Sequence, residues 1–202
     1  RNVLKLAEVS RRAGVHIVCP TGIHLQKYYP PGHWSVRLSE AALAALFVAD
    51  IQLGVDENDY AGPDVRRTSH RAGVIKVAGG RDKLSEFEIK VFRAAAQAFL
   101  RTGCPVITHT EEGTAAPEQI DVLTEAGADS RHVILCHTDR KPDAEHHRAL
   151  LRRGVTLEYD SCFRWKPEQG NPTLTLIAEL APEFPEQIVI GKTFGNYVIQ
   201  SM

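Results

Sequence analysis

The sequence has no apolar stretch approaching the ~20 residues that a bilayer span requires, because charged residues or glycines interrupt every run. No membrane-spanning helix is expected. No charge of one sign dominates either: 24 Lys plus Arg stand against 25 Asp plus Glu, with no basic run and no basic patch interleaved with aromatics. That pattern offers nothing to a polyanion, so the expected partner is a small molecule and not nucleic acid. The four cysteines, Cys19, Cys104, Cys136 and Cys162, lie far apart and form no CxxC pair, which excludes a zinc ribbon and a dithiol redox motif. Three of them sit in or beside apolar runs, as buried free thiols do, and this points to a reducing, cytoplasmic setting. Glycine-rich phosphate loops are also missing. The single candidate, Ala78-Gly79-Gly80-Arg81, lacks the GxGxxG spacing, which excludes an ordinary dinucleotide site. The chain opens on Arg1 and not on methionine, so the lack of a signal peptide carries no information.

What is present is an ordinary globular composition, 43% hydrophobic and 24% charged over 202 residues, enough for one domain, 1–202, with a real core. Periodicity gives a repeating order of strand and helix. A helix over about 2–13 stops at Gly14, and VHIVC (15–19) follows as a first strand. Ser39 caps a helix running to about Leu53, and GVIKVA (73–78) is the next strand. Ser85 and Glu88 have capping-box spacing before a long amphipathic helix ending near Gly103. CPVITH, a helix from Pro117 to Gly127, HVILCH, a helix from Pro142 to Gly154, VTLEYD, a helix from Asn171-Pro172 and EQIVIG complete the series. Six strands of βα type with continuous apolar runs imply parallel pairing and burial on both faces. Two folds satisfy this order, an open doubly wound sheet and part of a (β/α)8 barrel. The stretch 57–71 is long enough to be a lid or rim.

The polar residues fall where such folds carry chemistry. Lys76 lies inside GVIKVA, His109 ends PVITH, His137 ends VILCH and Asp160 ends VTLEYD, so four successive strands each bring one ionisable group near a carboxyl end. A lone strand-end histidine is more often a hydrogen-bonded structural residue. Two in register on adjacent strands favour metal ligation, since neutral imidazole is the commonest metal ligand. A lysine in an apolar strand is costly to bury charged and is ordinarily neutralised, paired or chemically modified. Asp160 serves equally well as a loop-capping carboxylate or a functional one.

At these residues the chain resembles the phosphotriesterase family of the amidohydrolase superfamily, which includes phosphotriesterases, lactonases and phosphotriesterase-related proteins. GVHIVCPTG, RAGVIKVA, CPVITHTEEG, EQIDVLTEAGADSRHVILCHTDR and YDSCFRWK carry the likeness in order, over nearly the whole chain. The resemblance implies an α/β TIM barrel of the metal-dependent hydrolase type, present here as about six βα units. It implies two divalent ions, zinc first, with manganese, cobalt or iron as alternatives, bridged by a carboxylated Lys76. His109 and His137 would hold the more exposed ion, and a hydroxide shared by the two would attack phosphorus or a carbonyl carbon. His24, Tyr28, Asp160 and Arg164 are the implied substrate-pocket residues. The substrate would be a phosphotriester, lactone or related ester, and a homodimer is compatible with the family.

The chain departs from the family pattern at two points. The family begins its metal site with an HxH pair, and no HxH occurs here. It also places an aspartate at the end of the eighth strand, where this chain has Lys192-Thr193-Phe194, and Thr193 is no anionic ligand. Barrels of this type run to ~250 residues, so two strands are unaccounted for. The expectation is a piece of a longer hydrolase, with HxH upstream and an aspartate near position 193. A truncated, catalytically inactive homologue acting as a binding or assembly partner is the alternative.

Overall fold

The computed structural model describes residues 2–164 and 170–191. Six strands, β1 (Pro20–Gly22), β2 (Val74–Ala78), β3 (Val106–His109), β4 (Val133–Cys136), β5 (Thr156–Tyr159) and β6 (Ile188–Ile190), form one sheet in the order β1-β2-β3-β4-β5-β6. Every neighbouring pair is parallel. Chain order and spatial order coincide, with no point at which the order reverses. A doubly wound sheet requires such a reversal and a barrel wall does not, so the topology is that of an incomplete (β/α)8 barrel.

Helix α1 (Val3–Ala13) precedes the sheet, and α2 (Trp34–Arg37) with α3 (Glu40–Gln52) joins β1 to β2. The later crossovers are α4 (Glu86–Thr102), α5 (Ala116–Glu125), α6 (Ala144–Leu151) and α7 (Pro172–Leu180). Their starts follow the chemistry visible in the sequence. Ser39 accepts from the N–H of Ala42, and Ser85 and Glu88 close a capping box at α4. Gly14 and Gly103 end α1 and α4 in the left-handed conformation.

The core lies on one side of the sheet. Ile75, Val77, Val106, Val133, Leu135, Leu157 and Tyr159 are fully buried against the helices, with Phe47 and Phe92 at the α3/α4 contact. Each such side chain contributes roughly 1.5–3 kcal/mol by leaving water. The intervening residues, Val74, Lys76, Ile107, His109, Ile134, Thr156 and Glu158, are only partly buried. Burial on both faces, expected from the continuous apolar runs, is therefore not found. Successive side chains point to opposite faces, and only the outer face is covered by helices among the described residues.

The first strand also falls later than VHIVC. Residues 15–18 form no regular element and are exposed, while pairing starts with the Gly73 N–H donating to the Cys19 carbonyl at 3.0 Å. Pro20, Thr21 and Gly22 then lie opposite Val74, Ile75 and Lys76. The apolar run lies ahead of the residues that β2 pairs, so its pattern mimics a strand without a partner. Gly22 has φ +114°, and a Cβ there would collide with the backbone of Lys76. Only glycine allows β1 to approach so closely. All four cysteines are free, three of them buried and Cys162 partly so. No helix among the described residues is long and apolar enough to cross a membrane.

Candidate metal centre

Strand register places the ionisable residues in two rows on the inner face. Lys76, Ile107, Ile134 and Thr156 form one row, and Ala78, His109, Cys136 and Glu158 the row nearer the carboxyl ends. Lys76 and His109 therefore point into the same concavity from adjacent strands. The Lys76 Nζ donates to Cys136 Sγ at 3.4 Å. Burial pushes the Cys136 thiol up to about 12, so this contact is with a neutral thiol.

His109 is held through its backbone. Its carbonyl accepts from Gly79 N–H at 3.0 Å and from the fully buried Gln119 Nε2 at 3.3 Å, and Gln119 also accepts from the Thr108 hydroxyl. The ring is left to face the mouth. Burial, with His137 and His24 adding repulsion, lowers its pKa to about 4, so the imidazole is neutral at neutral pH. Nε2 is buried without a hydrogen bond of good geometry, and Glu111 Oε1 lies 3.4 Å from it.

His137 leaves β4 with φ +68°, a left-handed conformation that costs a non-glycine residue roughly 1–2 kcal/mol. The turn brings its ring 4.8 Å from that of His109 and sets Nδ1 2.6 Å from Asp160 Oδ2. Arg140 Nη2 also lies 3.0 Å from Nδ1 and 3.7 Å from the same carboxylate. One ring nitrogen cannot both donate to Asp160 and accept from Arg140. The shorter, charge-assisted contact takes the proton, and the lone pair of Nε2 is then available. Asp160 is fully buried, and the loop after β5 is tied down by Asp139, which accepts from Asp160 N, Ser161 N and Thr173 Oγ1.

The pocket residues expected from sequence are more scattered. The His24 ring centroid lies 5.2 Å from that of His109 and 5.0 Å from that of Tyr28, its pKa is lowered by burial, and its Nδ1 is buried without a hydrogen bond. Tyr28 is exposed in a short turn, and Arg164 is exposed after β5. Asp160 stands behind His137, away from these two in exposure. Thr193 lies outside the described residues. The stretch 57–71 is fastened through two aspartates: Asp56 accepts from Asn58 N, Tyr60 N and Arg66 N, while the buried Asp50 accepts from Thr21, Tyr60 and Arg67.

Two neighbours of the centre carry no signal in periodicity alone. Glu111 follows His109 by two residues in a loop, and Glu158 is the inward member of TLEY. The alternation of that strand and the register with Cys136 would locate Glu158, but only once the strand is paired.

Among the described residues no three His, Cys, Asp or Glu side chains converge on a ready-made metal cage. The donors nonetheless suit a divalent ion. Two imidazoles lie on adjacent strand ends, His109 neutral with a buried nitrogen that has no hydrogen bond, and the His137 ring fixed by a carboxylate, and nitrogen donors of this kind are common ligands of such ions. Lys76 can complete an oxygen-bearing set only after conversion to an anion.

Residues 1–168 match the profile of the Phosphotriesterase family. The chain is 32% identical over 171 residues to a phospho-furanose lactonase of Mycoplasmopsis synoviae, covering 82% of this chain and 48% of that protein. It is 32% identical over 164 residues to an N-acetyltaurine hydrolase of Danio rerio, covering 79% and 43%. The crystal structure of an amidohydrolase from Mycoplasma synoviae superimposes with a TM-score of 0.89 at 28% identity, over 99% of this chain and 58% of that one. The chain thus spans about half the length of the curated relatives it matches.

Proposed function

The chain belongs to the phosphotriesterase family, and from that premise we propose that the protein carrying it is a metal-dependent hydrolase of lactone, phosphotriester or related ester bonds. The observation that carries the reading is the His109 and His137 pair, rings 4.8 Å apart on adjacent strand ends, with Lys76 one inner row below. The lactonase relative favours a lactone carbonyl over a phosphorus centre.

His109 and His137 would hold one divalent ion through Nε2, and a carboxylated Lys76 would bridge it to a second. When bound, such ions polarise a carbonyl or phosphoryl oxygen and lower the pKa of water. Zinc suits imidazole and carboxylate donors, as do manganese, cobalt and iron. The remaining work belongs to the chain itself. Asp160 accepts the Nδ1 proton of His137 and so fixes both tautomer and ring direction. Burial keeps His109 neutral, which removes the cost of displacing a proton on ligation. Carboxylation would turn the Lys76 amine from a donor to Cys136 into an anionic oxygen ligand. His24, Tyr28 and Arg164 would line the substrate pocket, with Asp160 contributing through His137, which it holds.

Metal analysis and lactone turnover by the full-length protein test the reading together. Bound divalent ion and chelator-sensitive hydrolysis are expected. A protein that holds no metal and hydrolyses none of these bonds would overturn it and leave the binding-partner alternative.

A further inference from the structure

The Lys76 side chain crosses the inner face of the sheet. It leaves β2 in the row of Ile107 and Ile134, yet its Nζ donates to Cys136 Sγ at 3.4 Å, on β4 and one row nearer the carboxyl ends. Neighbouring strands lie ~4.8 Å apart, so the amine reaches across β3 to make this contact. No other hydrogen bond of Nζ is found among the described residues.

A second direction is open to it. Lys76 also lines a cavity of about 310 Å3 on the β1 side, shared with Gly22, His24, Trp34 and Asp59. Lysine carries its amine on a flexible stem, and without a fixed acceptor on β4 the amine has room to turn toward that cavity. It would then leave the side of the sheet on which His137 stands.

Cys136 is suited to be the fixed acceptor. It is buried, and its carbonyl accepts from the Thr110 N–H at 3.3 Å and from Thr110 Oγ1 at 2.7 Å, which ties the end of β4 to the loop after β3. On its other side the thiol lies against the carboxylate of Glu158, its register partner on β5, which acts on it as a hydrogen-bond acceptor. With its single hydrogen engaged there, the sulfur has only lone pairs to offer the amine. The same acceptor serves a carboxylated amine. Such a nitrogen is flattened by the resonance that flattens a peptide nitrogen and keeps one N–H, so holding that N–H also sets the direction of the carboxylate.

We propose that Cys136 is a positioning residue for Lys76, its sulfur accepting the Nζ–H and so holding the amine on the β4 side of the centre for carboxylation. The inference rests on the hydrolase reading and adds a residue to its centre.

The test compares the full-length parent with Cys136→Ala, which removes the acceptor, and Cys136→Ser, which keeps one on a shorter bond. Each protein is stripped of metal and reloaded with zinc over a series of isotope-labelled bicarbonate concentrations. Carbamate is read by carbon NMR, bound zinc by plasma spectrometry and folding by thermal melting. In Cys136→Ala the bicarbonate concentration for half-maximal carbamate should rise about fivefold, the scale of one lost hydrogen bond, with Cys136→Ser between it and the parent. Zinc content at saturating bicarbonate should match the parent in all of them. A carbamate signal that neither substitution shifts, or a Cys136→Ser as impaired as Cys136→Ala, overturns the positioning role and leaves the hydrolase reading standing. A lower melting temperature and zinc content with an unmoved half-maximal concentration mark a packing role alone and overturn it too. A parent that takes up neither zinc nor carbon dioxide removes the hydrolase reading and the positioning role together.

Discussion

The imidazole of His137 and the carboxylate of Asp160 meet at 2.6 Å, across the ends of β4 and β5 and 23 residues apart in the chain. Asp160 is fully buried, so the contact is made out of water. It determines which His137 nitrogen is left for a ligand.

Replacing Asp160 by alanine should therefore weaken divalent metal binding by the full-length protein about 10–100-fold, the usual effect of losing a carboxylate behind a ligating histidine. Asp160→Asn, which can still accept from Nδ1, should lose less. Competition with a chromogenic chelator measures both. Equal affinity in all three proteins would show that Asp160 has no part in orienting the ring.

Lys76→Met removes the amine that carboxylation requires. Metal stoichiometry should fall, and recovery of metal-free protein on adding zinc should lose any dependence on bicarbonate that the parent shows. Inductively coupled plasma analysis and recovery kinetics at two bicarbonate concentrations provide the test. A variant that reloads like the parent excludes a bridging role for Lys76.

Gly22→Ala puts a Cβ against the Lys76 backbone at φ +114°. Both the positive φ and the β1–β2 approach oppose it. A loss of ~2 kcal/mol or more is expected, read as a lowered Tm in thermal unfolding. An unchanged melting curve would mean that β1 can move away from β2 without penalty.

His147 offers an acid-stability test outside the metal centre. It is fully buried, its Nε2 donates to the Thr138 carbonyl at 3.1 Å, and its Nδ1 accepts from the Tyr159 hydroxyl at 2.8 Å. Burial lowers its pKa to about 4, below the unfolded value near 6.5. The unfolded chain thus takes up the proton first. Its contribution is present above pH 6.5 and is lost as pH falls toward 4, at up to about 1.4 kcal/mol per unit. Urea unfolding of the parent and His147→Gln across that window should show a shallower pH slope in the variant; parallel slopes would contradict the assignment.

Much of this protein is legible along the chain because the signals are local. The helix starts at Ser39, Ser85 and Asn171 depend on side chains reaching their own first turn, and the structure has each of them. Strand identity for VIKVA, VITH, VILC and TLEY depends on apolar runs between turn residues, and these also stand. VHIVC shows where the argument fails. An apolar run becomes a strand only if backbone partners lie opposite it, and β2 begins too late to supply them.

Sequence alone determined the parallel βα order, the free thiols and the series Lys76, His109, His137, because each follows from nearest-neighbour geometry or from period. Tertiary structure alone decided that the strands follow one another without reversal, that Asp160 stands behind His137, and that Glu158 faces inward. Those facts depend on register and on contacts between residues distant in the chain, and no short window of sequence encodes which side of a paired strand faces which neighbour.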